Sequence, residues 1–496
     1  MTQQYGLGGI SVFVPPYRVD LQQWCQWSGS DFAKIGAVVG HSFRMAGPEH
    51  NAYTLAAQAV LNLILDNSVD PASVGHLALA TESSSDNAVG AVVVRGLVDM
   101  ALAQRGLPPL SRYCEVPEIK QACIAGVYGL KGAVRYLAHD GAGRNAIVAA
   151  VDIAEYEQGS TGEPTQGAGA AAMLVEADPR LLRLDLRSSG SASSYRIADF
   201  RKPFLRFAGQ VPGDNGRLRD FPVFNGKYST ACYLDEVMCA FDALFERRGG
   251  PRAEFLRGLA AAFMHRPYHH MPVSAWSLAY LFALGADGGD EHRELEAYCT
   301  AAGVALAQVL AEMRQRPELA RAVAAGEAPP EEPYPLCAHV VKAFRRSPRY
   351  KEVVEGKLRL GAASMMHVGN LYTAALPAWL AAGFEEALHD TGELAGRPLL
   401  LVGYGSGDAA ETLVAEAAPG WRQAAARIGL ARMFAGAVDL SQAQYRSLHD
   451  GRRPADLAAA DGSGFAIGRV GTSRQGAFQD FGVEYYRYAK QAAASG

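Results

Sequence analysis

Long apolar runs are absent from the sequence, and so are the basic clusters by which many proteins bind nucleic acids or membranes. Gly, Pro or a charged residue interrupts the apolar stretches well before the ~18 residues that a membrane-spanning helix needs. No block of Lys and Arg is interleaved with aromatic residues, so we expect neither a nucleic-acid partner nor a membrane partner. The chain does not start with a basic segment followed by an apolar run, and we therefore expect no signal peptide.

Cysteine is sparse and irregularly spaced. The seven Cys residues are odd in number and include no CxxC pair, which argues against a disulfide framework, a zinc ribbon and a thioredoxin-like motif. This usage fits a reducing compartment, and we expect a cytoplasmic protein. Apolar residues make up 49% of the 496 residues and the net charge is only −4, so the chain can bury a large core.

Short apolar runs alternate with helical patterns along most of the chain. Buried strands are predicted at 76–83 and 146–156, where apolar runs end in polar or Gly-rich loops. The segment 126–139 between them has its apolar residues on one helical face. The second half of the chain repeats this alternation. The pattern predicts an α/β fold whose sheets are covered by helices.

One segment, residues 288–350, departs from this alternation. It is rich in Ala, Glu and Arg, and two helix-like stretches flank a break at GEAPPEEPYP. We interpret it as a helical insertion on the surface that is dispensable for the chemistry.

Polar residues that could carry chemistry stand where the predicted elements end. Cys123 precedes a helix, whose N-terminal dipole favours a thiolate. Glu82 ends an apolar strand, where partial desolvation would make its carboxylate a general base. His265 directly follows another buried strand. Each feature alone also has a structural interpretation: a core cysteine, a helix cap, or a histidine near His269 and His270 that lacks further metal ligands.

Two further segments complete this group. Asn370 is placed to cap a helix, and the Gly-Ser-Gly turn around Ser406 can point backbone N–H groups at a developing oxyanion. No acidic residue follows this turn at the spacing of a dinucleotide-binding motif, which argues against that interpretation of the turn.

Taken together, these segments resemble the 3-hydroxy-3-methylglutaryl-CoA (HMG-CoA) synthase family of the thiolase superfamily. The resembling blocks occur in the family's order and span most of the chain outside 288–350: ATESSSDNA, EIKQACIAG, VDIAEYEQGSTGEPTQGAGAAAMLV, FPVFNGKYS, FMHRPYHHM, HVGNLYTAAL and GYGSGDAAE. The resemblance implies a thiolase-like fold of two similar halves in a five-layer αβαβα arrangement, as a homodimer. We place the N-terminal half at 1–180 and the C-terminal half, with the insertion, at 181–496.

The resemblance also implies a reaction and a role for each matching residue. An acetyl group carried on Cys123 would add to the ketone of an acetoacetyl or other β-ketoacyl thioester, with Glu82 as general acid/base and His265 polarising the ketone. The donor would be acetyl-CoA or an acetyl carrier protein, and the acceptor a CoA or carrier-protein thioester. No cofactor and no metal are implied. The implied substrate-binding residues are Thr165, His270, Asn370, Tyr404, Gly405 and Ser406.

Four positions depart from the family's pattern. Ile124 stands where an aromatic residue is usual, Val127 where threonine is usual, and His270 where lysine is usual. The fourth is Glu155, where we expect a basic or neutral residue. We expect these changes to lie around the substrate tunnel and, at His270, to favour an acceptor bound to a carrier protein.

Other functions remain open on the residues alone. An HMG-carrier-protein synthase of polyketide β-branching fits the same blocks. A decarboxylating ketoacyl-carrier-protein synthase of type III would not need Glu82, and a Cys-His hydrolase would not need Asn370. A non-catalytic scaffold would have no reason to keep Glu82, Cys123 and His265 together.

We predict that Cys123 becomes acylated. Intact mass spectrometry after incubation with acetyl-CoA should show a gain of one acetyl group, because a thiolate at a helix N-terminus can accept an acyl group from another thioester. Cys123→Ala should abolish the gain. Labelling of Cys114 instead would contradict the assignment.

Overall fold

The computed structural model describes residues 3–84, 88–201, 221–223, 225–327, 332–390, 392–457 and 464–490. The strands in these ranges, in chain order, are β1 (Tyr5–Phe13), β2 (Tyr17–Asp20), β3 (Ser42–Met45), β4 (Val74–Ala80), β5 (Glu118–Ile119), β6 (Asn145–Ala154), β7 (Gly167–Ala177), β8 (Leu182–Ser193), β9 (Ala261–Met264), β10 (Pro398–Gly405), β11 (Ala409–Ala417), β12 (Val438–Asp439), β13 (Gly464–Val470) and β14 (Glu484–Ala489).

The α-helices of the same ranges are α1 (Leu21–Ser28), α2 (Phe32–Val38), α3 (Ala52–Asp66), α4 (Gly90–Gln104), α5 (Ala125–Leu137), α6 (Gly226–Arg248), α7 (Arg252–Gly258), α8 (His270–Asp287), α9 (Gly289–Ala302), α10 (Leu306–Arg314), α11 (Leu319–Ala324), α12 (Pro335–Phe344), α13 (Pro348–Tyr350), α14 (Gly356–Leu358), α15 (Ala362–Met365), α16 (Ala375–Ala387), α17 (Trp421–Ala425), α18 (Leu430–Ala435) and α19 (Gln442–His449). Among these helices, none is both long and apolar enough to cross a membrane.

The central sheet has nine strands in the order β5-β4-β6-β7-β1-β8-β11-β10-β9. Its two parts follow one pattern. In the first part β4 runs parallel to β6, which pairs antiparallel with β7, and β7 pairs antiparallel with β1. In the second part β9, β10, β11 and β8 repeat these three relationships. In the described ranges the two parts of the sheet are hydrogen-bonded to each other through a short β1–β8 ladder, at Gly6–Arg183 and Leu7–Leu182.

Helices cover both parts of the sheet and fill the space between them. The helix α3 packs on β1, β6 and β7, and α6 packs on β8 and β11. Between the two parts lie α5 and α16, each of which contacts strands of the first part, while α16 also contacts β9 and β10. The order of layers is therefore helix, sheet, helix, sheet, helix, which confirms the predicted thiolase-like α/β fold of two similar halves. The division of the chain after residue 180 stays a prediction.

The segment 288–350 is helical, as predicted, but its interpretation as a surface insertion is wrong for the residues that the structure describes. Its helices α9 and α12 pack on α8, and their apolar residues join the main core. Tyr334 donates a hydrogen bond to the buried Asp235 of α6 at 2.7 Å. The Ala- and Arg-rich composition does not indicate this burial, because only a minority of positions, spaced along one face, are apolar and buried. Its fully buried side chains are Leu295, Val309, Leu319, Cys337, Val340 and Phe344.

We predict that Phe344→Ala destabilises the protein strongly, although it lies in this segment. The Phe344 ring is fully buried against Tyr280, Tyr298 and Tyr350, so its removal leaves a cavity and should cost about 3–5 kcal/mol of unfolding free energy. The matched control is Phe478→Ala, because the Phe478 side chain is 73% exposed and its loss should cost less than about 0.5 kcal/mol. Urea unfolding measures both values. Equal stability of the two variants would show that 288–350 does not belong to the cooperative core.

Candidate active site

A cavity of about 650 Å³ lies where the two halves meet. Six of the nine residues predicted as site residues line it: Cys123, Thr165, His265, Asn370, Tyr404 and Ser406. The wall is completed mainly by aromatic and small polar side chains, among them Tyr156, Phe200, Ser229, Thr230, Tyr268 and Tyr372. Residues far apart in the chain are thus brought together around one enclosed space.

Cys123 lies two residues before Ala125, the first residue of α5, close to the helix N-terminus as predicted, and it is 8% exposed. The residue before it, Ala122, has a φ of +42°, a left-handed conformation that is unfavourable for a side chain other than glycine. Gly405 of β10 lies against this turn: a Cβ atom there would be 2.9 Å from the Gln121 carbonyl oxygen and 3.0 Å from the Ile124 nitrogen. Gly405 is therefore required for the close approach of β10 to the Cys123 turn.

Three aromatic rings pack with Cys123, and the residue patterns had not singled them out. Tyr156, Phe200 and Tyr372 lie edge to face, with ring centroids 5.5–6.3 Å apart. Burial raises the pKa of both phenols, so they stay neutral. The sequence offered only a weak signal: Tyr156 ends a predicted strand and Tyr372 follows the predicted cap at Asn370, but aromatic residues are equally common in plain cores.

Glu82 does not belong to the wall of the cavity, but it is close to it. Its charge acts on Tyr156 and Tyr372, the same two phenols on which the Cys123 thiol acts. The backbone N–H of Glu82 donates to Asp152 Oδ1 at 2.8 Å, which fixes the start of its loop. The structure thus brings Glu82 to the rings that flank Cys123. Residues 85–87 of the ATESSSDNA block lie outside the described residues.

Asp152, in β6, is fully buried and holds together loops from both halves. Its Oδ1 accepts hydrogen bonds from Thr81, Glu82 and Ser83, and its Oδ2 accepts one from the Thr373 N–H at 2.9 Å. The Thr373 hydroxyl in turn donates to the Ala122 carbonyl at 3.2 Å, next to the nucleophile. Burial raises the pKa of Asp152. A buried acidic residue within an apolar strand was the available signal for this role.

His265 continues β9, because its N–H donates to the Val402 carbonyl at 2.7 Å. Its carbonyl accepts from the Tyr233 hydroxyl at 3.0 Å, and its ring stacks on Tyr404 at 6.3 Å between centroids. Nδ1 has no hydrogen-bond partner among the described residues. Burial lowers the pKa of His265 to about 3, so the imidazole is neutral at physiological pH and offers one donor and one acceptor.

Asn370 faces the cavity. Its Oδ1 accepts from the Tyr372 N–H at 2.9 Å, and its own N–H donates to the Thr165 carbonyl at 2.9 Å. The prediction that Asn370 caps a helix is wrong, because Leu371 and Ala374 are the N-caps of the two helical segments that follow, and neither segment has a side-chain cap. Nδ2 of Asn370 remains as the side-chain donor. Tyr372, like Ala122, has a positive φ, of +44°, so backbone strain is found on both sides of Cys123.

His270 does not line this cavity. It lies in a neighbouring pocket of about 450 Å³ that shares Thr230, Tyr268 and Glu332 with the first, and Arg345 is 3.0 Å from its Nε2. Burial, with the charge of Arg345, lowers the pKa of His270. Arg266 points away from the cavity and donates to the Ala362 carbonyl.

Two of the other departures from the family's pattern also lie elsewhere than expected. Ile124 and Val127 are buried in the main core, where they face Gly403 of β10, and neither lines the cavity. The expectation that they surround a substrate tunnel is wrong, because Ile124 and Val127, about one turn apart at the start of α5, both face the second part of the sheet. The cation that does line the cavity is Lys227, in the FPVFNGKYS block.

One group of buried side chains could in principle hold a cation. Donor atoms of Asp199, Cys232 and Asp408 lie within 4.8 Å of one another, beneath Tyr404. However, the Arg196 Nε is 3.5 Å from Asp408 Oδ2, so a guanidinium already supplies the positive charge there.

Comparisons with known proteins point to one family. A family model described as the N-terminal part of hydroxymethylglutaryl-coenzyme A synthase matches residues 1–179. The HMG-CoA synthase of Enterococcus faecalis is 30% identical over 272 residues, which span 54% of this chain and 63%, less than two thirds, of that protein. The HMG-CoA synthase of Haloferax volcanii is 25% identical over 460 residues, 90% of this chain and 91% of that protein.

Solved structures show the same relationship. MvaS in complex with 3-hydroxy-3-methylglutaryl coenzyme A has a TM-score of 0.75 and 25% identity, and the match covers 99% of this chain and 100% of that chain. The HMG synthase of the curacin biosynthetic pathway, in complex with an acetyl donor-ACP, has a TM-score of 0.69 at 19% identity and covers 98% and 100%, a likeness of fold. The fold and the site define a thiolase-like protein. Within this class, the family model over residues 1–179 and the relatives make the chain similar to hydroxymethylglutaryl-CoA synthases.

We predict that His265 makes the protein less stable as the pH falls. Its pKa is about 3 in the folded protein and 6.5 in the unfolded chain, so between these values only the unfolded chain binds the proton. Stability therefore decreases below pH 6.5, and between pH 6 and 5 the wild type should lose about 1 kcal/mol more than His265→Gln. Urea unfolding at both pH values measures this. The exposed His139 supplies the control, His139→Gln, which should behave as the wild type does; an identical loss in His265→Gln would contradict the burial of a neutral His265.

Proposed function

We propose that this protein is an acyltransferase that adds an acetyl group, carried on Cys123, to the ketone of an acetoacetyl or other β-ketoacyl thioester. The product is a 3-hydroxy-3-methylglutaryl-type thioester. The observation that carries the proposal is the meeting of Cys123, His265 and Asn370 at one cavity, with Glu82 beside the rings that flank Cys123. The similarity to hydroxymethylglutaryl-CoA synthases supports the same reaction.

The first half-reaction is thioester exchange at Cys123. The thiolate attacks the carbonyl of an acetyl thioester, the C–S bond to the donor breaks, and the donor thiol leaves with a proton. The turn at Ser406 lies on the cavity wall and can offer its backbone N–H to the oxyanion. One thioester replaces another, so the step needs neither a cofactor nor a metal.

The second half-reaction forms the carbon–carbon bond. Glu82 takes a proton from the acetyl methyl group, and the resulting enolate attacks the ketone carbon of the acceptor. A neutral His265 donates a hydrogen bond to the ketone oxygen, and Asn370 Nδ2 donates to a thioester carbonyl. The alkoxide is then protonated, and water hydrolyses the bond to Cys123. The two substrates must meet within roughly 3–3.5 Å, which explains separate groups for each carbonyl.

The acceptor belongs to the thioesters of CoA or of a carrier protein. Among the similar structures, MvaS is in complex with 3-hydroxy-3-methylglutaryl coenzyme A, and the curacin HMG synthase is in complex with an acetyl donor-ACP, so both kinds of thioester carrier are found there. In this chain His270 lies in the second pocket, which shares Tyr268 with the first, so it can act only on the part of an acceptor that extends beyond the cavity. We also propose that the protein is cytoplasmic, since a reducing compartment keeps the Cys123 thiol free. We further propose that it is a homodimer, as the family resemblance implies.

A decarboxylating condensing enzyme is the second candidate. That reaction generates its carbanion by loss of carbon dioxide and has no use for a carboxylate base. The position of Glu82 beside Tyr156 and Tyr372 favours proton abstraction instead.

We predict that Glu82→Gln separates the two half-reactions. The amide cannot take the methyl proton, so overall turnover should fall at least about 100-fold, within the range typical of general bases, while Cys123 still gains one acetyl group. Intact mass and a product assay measure the two steps. Glu115→Gln is the matched control, because the Glu115 side chain is 59% exposed, pairs with His76 and does not line the cavity. If a folded Glu82→Gln variant fails to gain the acetyl group, Glu82 is needed for acylation as well, and its assignment to condensation alone is refuted.

A further inference from the structure

The turn that carries Ser406 is short and is held from outside its own hairpin. It consists of Ser406, Gly407 and Asp408, which connect β10 to β11. The segment that follows β8 binds it through the backbone. The Asp408 N–H donates to the Ser194 carbonyl at 2.7 Å, and the Ser194 N–H donates back at 3.1 Å. The Arg196 N–H donates to the Gly407 carbonyl at 3.2 Å.

The side chain of Arg196 holds the same turn through its charge. Its Nε is 3.5 Å from Asp408 Oδ2, while Asp408 Oδ1 accepts a hydrogen bond from the Gly407 N–H. Both contacts favour the ionised carboxylate. Arg196 is 7% exposed and Asp408 is 4% exposed, so salt and water screen their attraction little. Arg196 therefore binds the turn twice, by its backbone N–H and by its guanidinium group.

The guanidinium group is itself anchored on α6. It donates to Asp235 and, at 3.3 Å, to Glu236 Oε2, and both acids are buried. Asp235 also accepts from the Tyr334 hydroxyl at 2.7 Å. Burial lowers the pKa of Arg196, but the charge and hydrogen bond of Asp235 outweigh burial and raise this pKa above its ordinary value, so the group stays charged. Because α6 packs on β8 and β11, the place of the guanidinium is set by this helix and not by the turn.

A buried ion network can be purely structural, but this one ends at the wall of the reaction cavity. Ser406, next to the two residues that Arg196 binds, lines the cavity. Asp408 Oδ1 also accepts from the Tyr404 hydroxyl at 2.8 Å, and the Tyr404 ring lines the cavity and stacks on His265. A displacement of Asp408 would therefore move two parts of the wall.

We propose that Arg196 is a positioning residue, whose charge holds Asp408 and thereby keeps the Ser406 N–H where an oxyanion forms during acyl transfer to Cys123. Arg196 does not line the cavity, so it acts through the turn and not on the substrate. A donor of this kind is effective because it is already in place when the charge develops. The link to acyl transfer rests on the proposed function, whereas the hold on the turn does not.

Hydrogen–deuterium exchange of the folded protein, without substrate, tests the hold on the turn. Asp408→Asn keeps an acceptor for the Gly407 N–H but loses the charge that faces Arg196. Exchange in a peptide covering 404–409 should become at least about tenfold faster in this variant, because the turn opens more often. Equal exchange in the wild type and in Asp408→Asn would overturn the proposal, whatever the protein catalyses.

Glu411→Gln is the matched control for this experiment. Glu411 is 3% exposed, forms a buried ion pair with Lys131 at 2.6 Å, and lies on β11 three residues after Asp408. Its loss also breaks a buried ion pair, but it does not touch the turn, so the peptide 404–409 should exchange as in the wild type. Equally fast exchange in Glu411→Gln would show that the loss of any buried ion pair nearby loosens the turn, and it would overturn the specific role of Arg196.

Arg196→Lys tests the same contact from its other side. The single ammonium group keeps the charge but cannot replace the planar guanidinium that faces Asp235 and Asp408 together, so exchange of the turn should accelerate as in Asp408→Asn. The double variant should exchange no faster than the faster single variant, because both changes break one contact. Effects that multiply in the double variant would mean that Arg196 and Asp408 act independently, against the proposal.

The catalytic link is tested by the kinetics of acetyl transfer to Cys123, measured by intact mass after mixing with acetyl-CoA. In Asp408→Asn the limiting rate constant should fall about 10–100-fold, while the half-saturating acetyl-CoA concentration changes less than about twofold, since the oxyanion forms only during the transfer. A merely structural role would lower the fraction of protein that reacts and leave the rate constant unchanged, and that result would overturn the positioning role. If wild-type Cys123 gains no acetyl group at all, the proposed function fails, while the exchange experiment still decides whether Arg196 holds the turn.

Discussion

The buried carboxyl group of Asp152 is the constraint on which the site depends. Four donors from residues 81–83 and 373 converge on its two oxygens, so one side chain of the first half fixes loops of both halves. A buried carboxyl group is costly unless its oxygens are hydrogen-bonded, and these donors offset that cost. The loop that carries Glu82 and the loop that carries Asn370 can therefore adopt only the arrangement that brings both to this carboxyl group.

The same network sustains backbone strain next to the nucleophile. Ala122 and Tyr372 both have left-handed φ values, each of which costs on the order of 1–3 kcal/mol unless the surroundings impose it. Thr373 connects the two strained residues: its N–H binds Asp152, and its hydroxyl binds the Ala122 carbonyl. The rigid neighbourhood of Cys123 is thus a property of the contact between the halves and not of the Cys123 turn alone.

The sequence predicted the elements well, because buried strands of Ala, Val and Ile and an amphipathic central helix have clear periodic patterns. It also predicted site residues at the ends of elements, such as Cys123, His265 and Asn370, since the carboxyl ends of neighbouring parallel strands lie at one edge of a sheet. It could not predict which way Ile124 and Val127 face, because both faces of α5 are covered by sheets. The sequence patterns misplaced 288–350, because the burial of this segment depends on a surface offered by α6 and α8. They also assigned His270 to the wrong pocket, since each step of one residue along a helix rotates the side-chain direction by about 100°.

The short ladder between β1 and β8 has a consequence for how the cavity is maintained. Among the residues that the structure describes, two ladder pairs, Gly6–Arg183 and Leu7–Leu182, join the two parts of the sheet, so the helices α5 and α16 between them set the separation of the halves. Cys123 belongs to one half, and His265 with Asn370 to the other. The distance between the nucleophile and the acceptor site therefore depends on the thickness of a single helical layer. A bulkier residue in that layer would change this distance and so alter the reaction without touching either site.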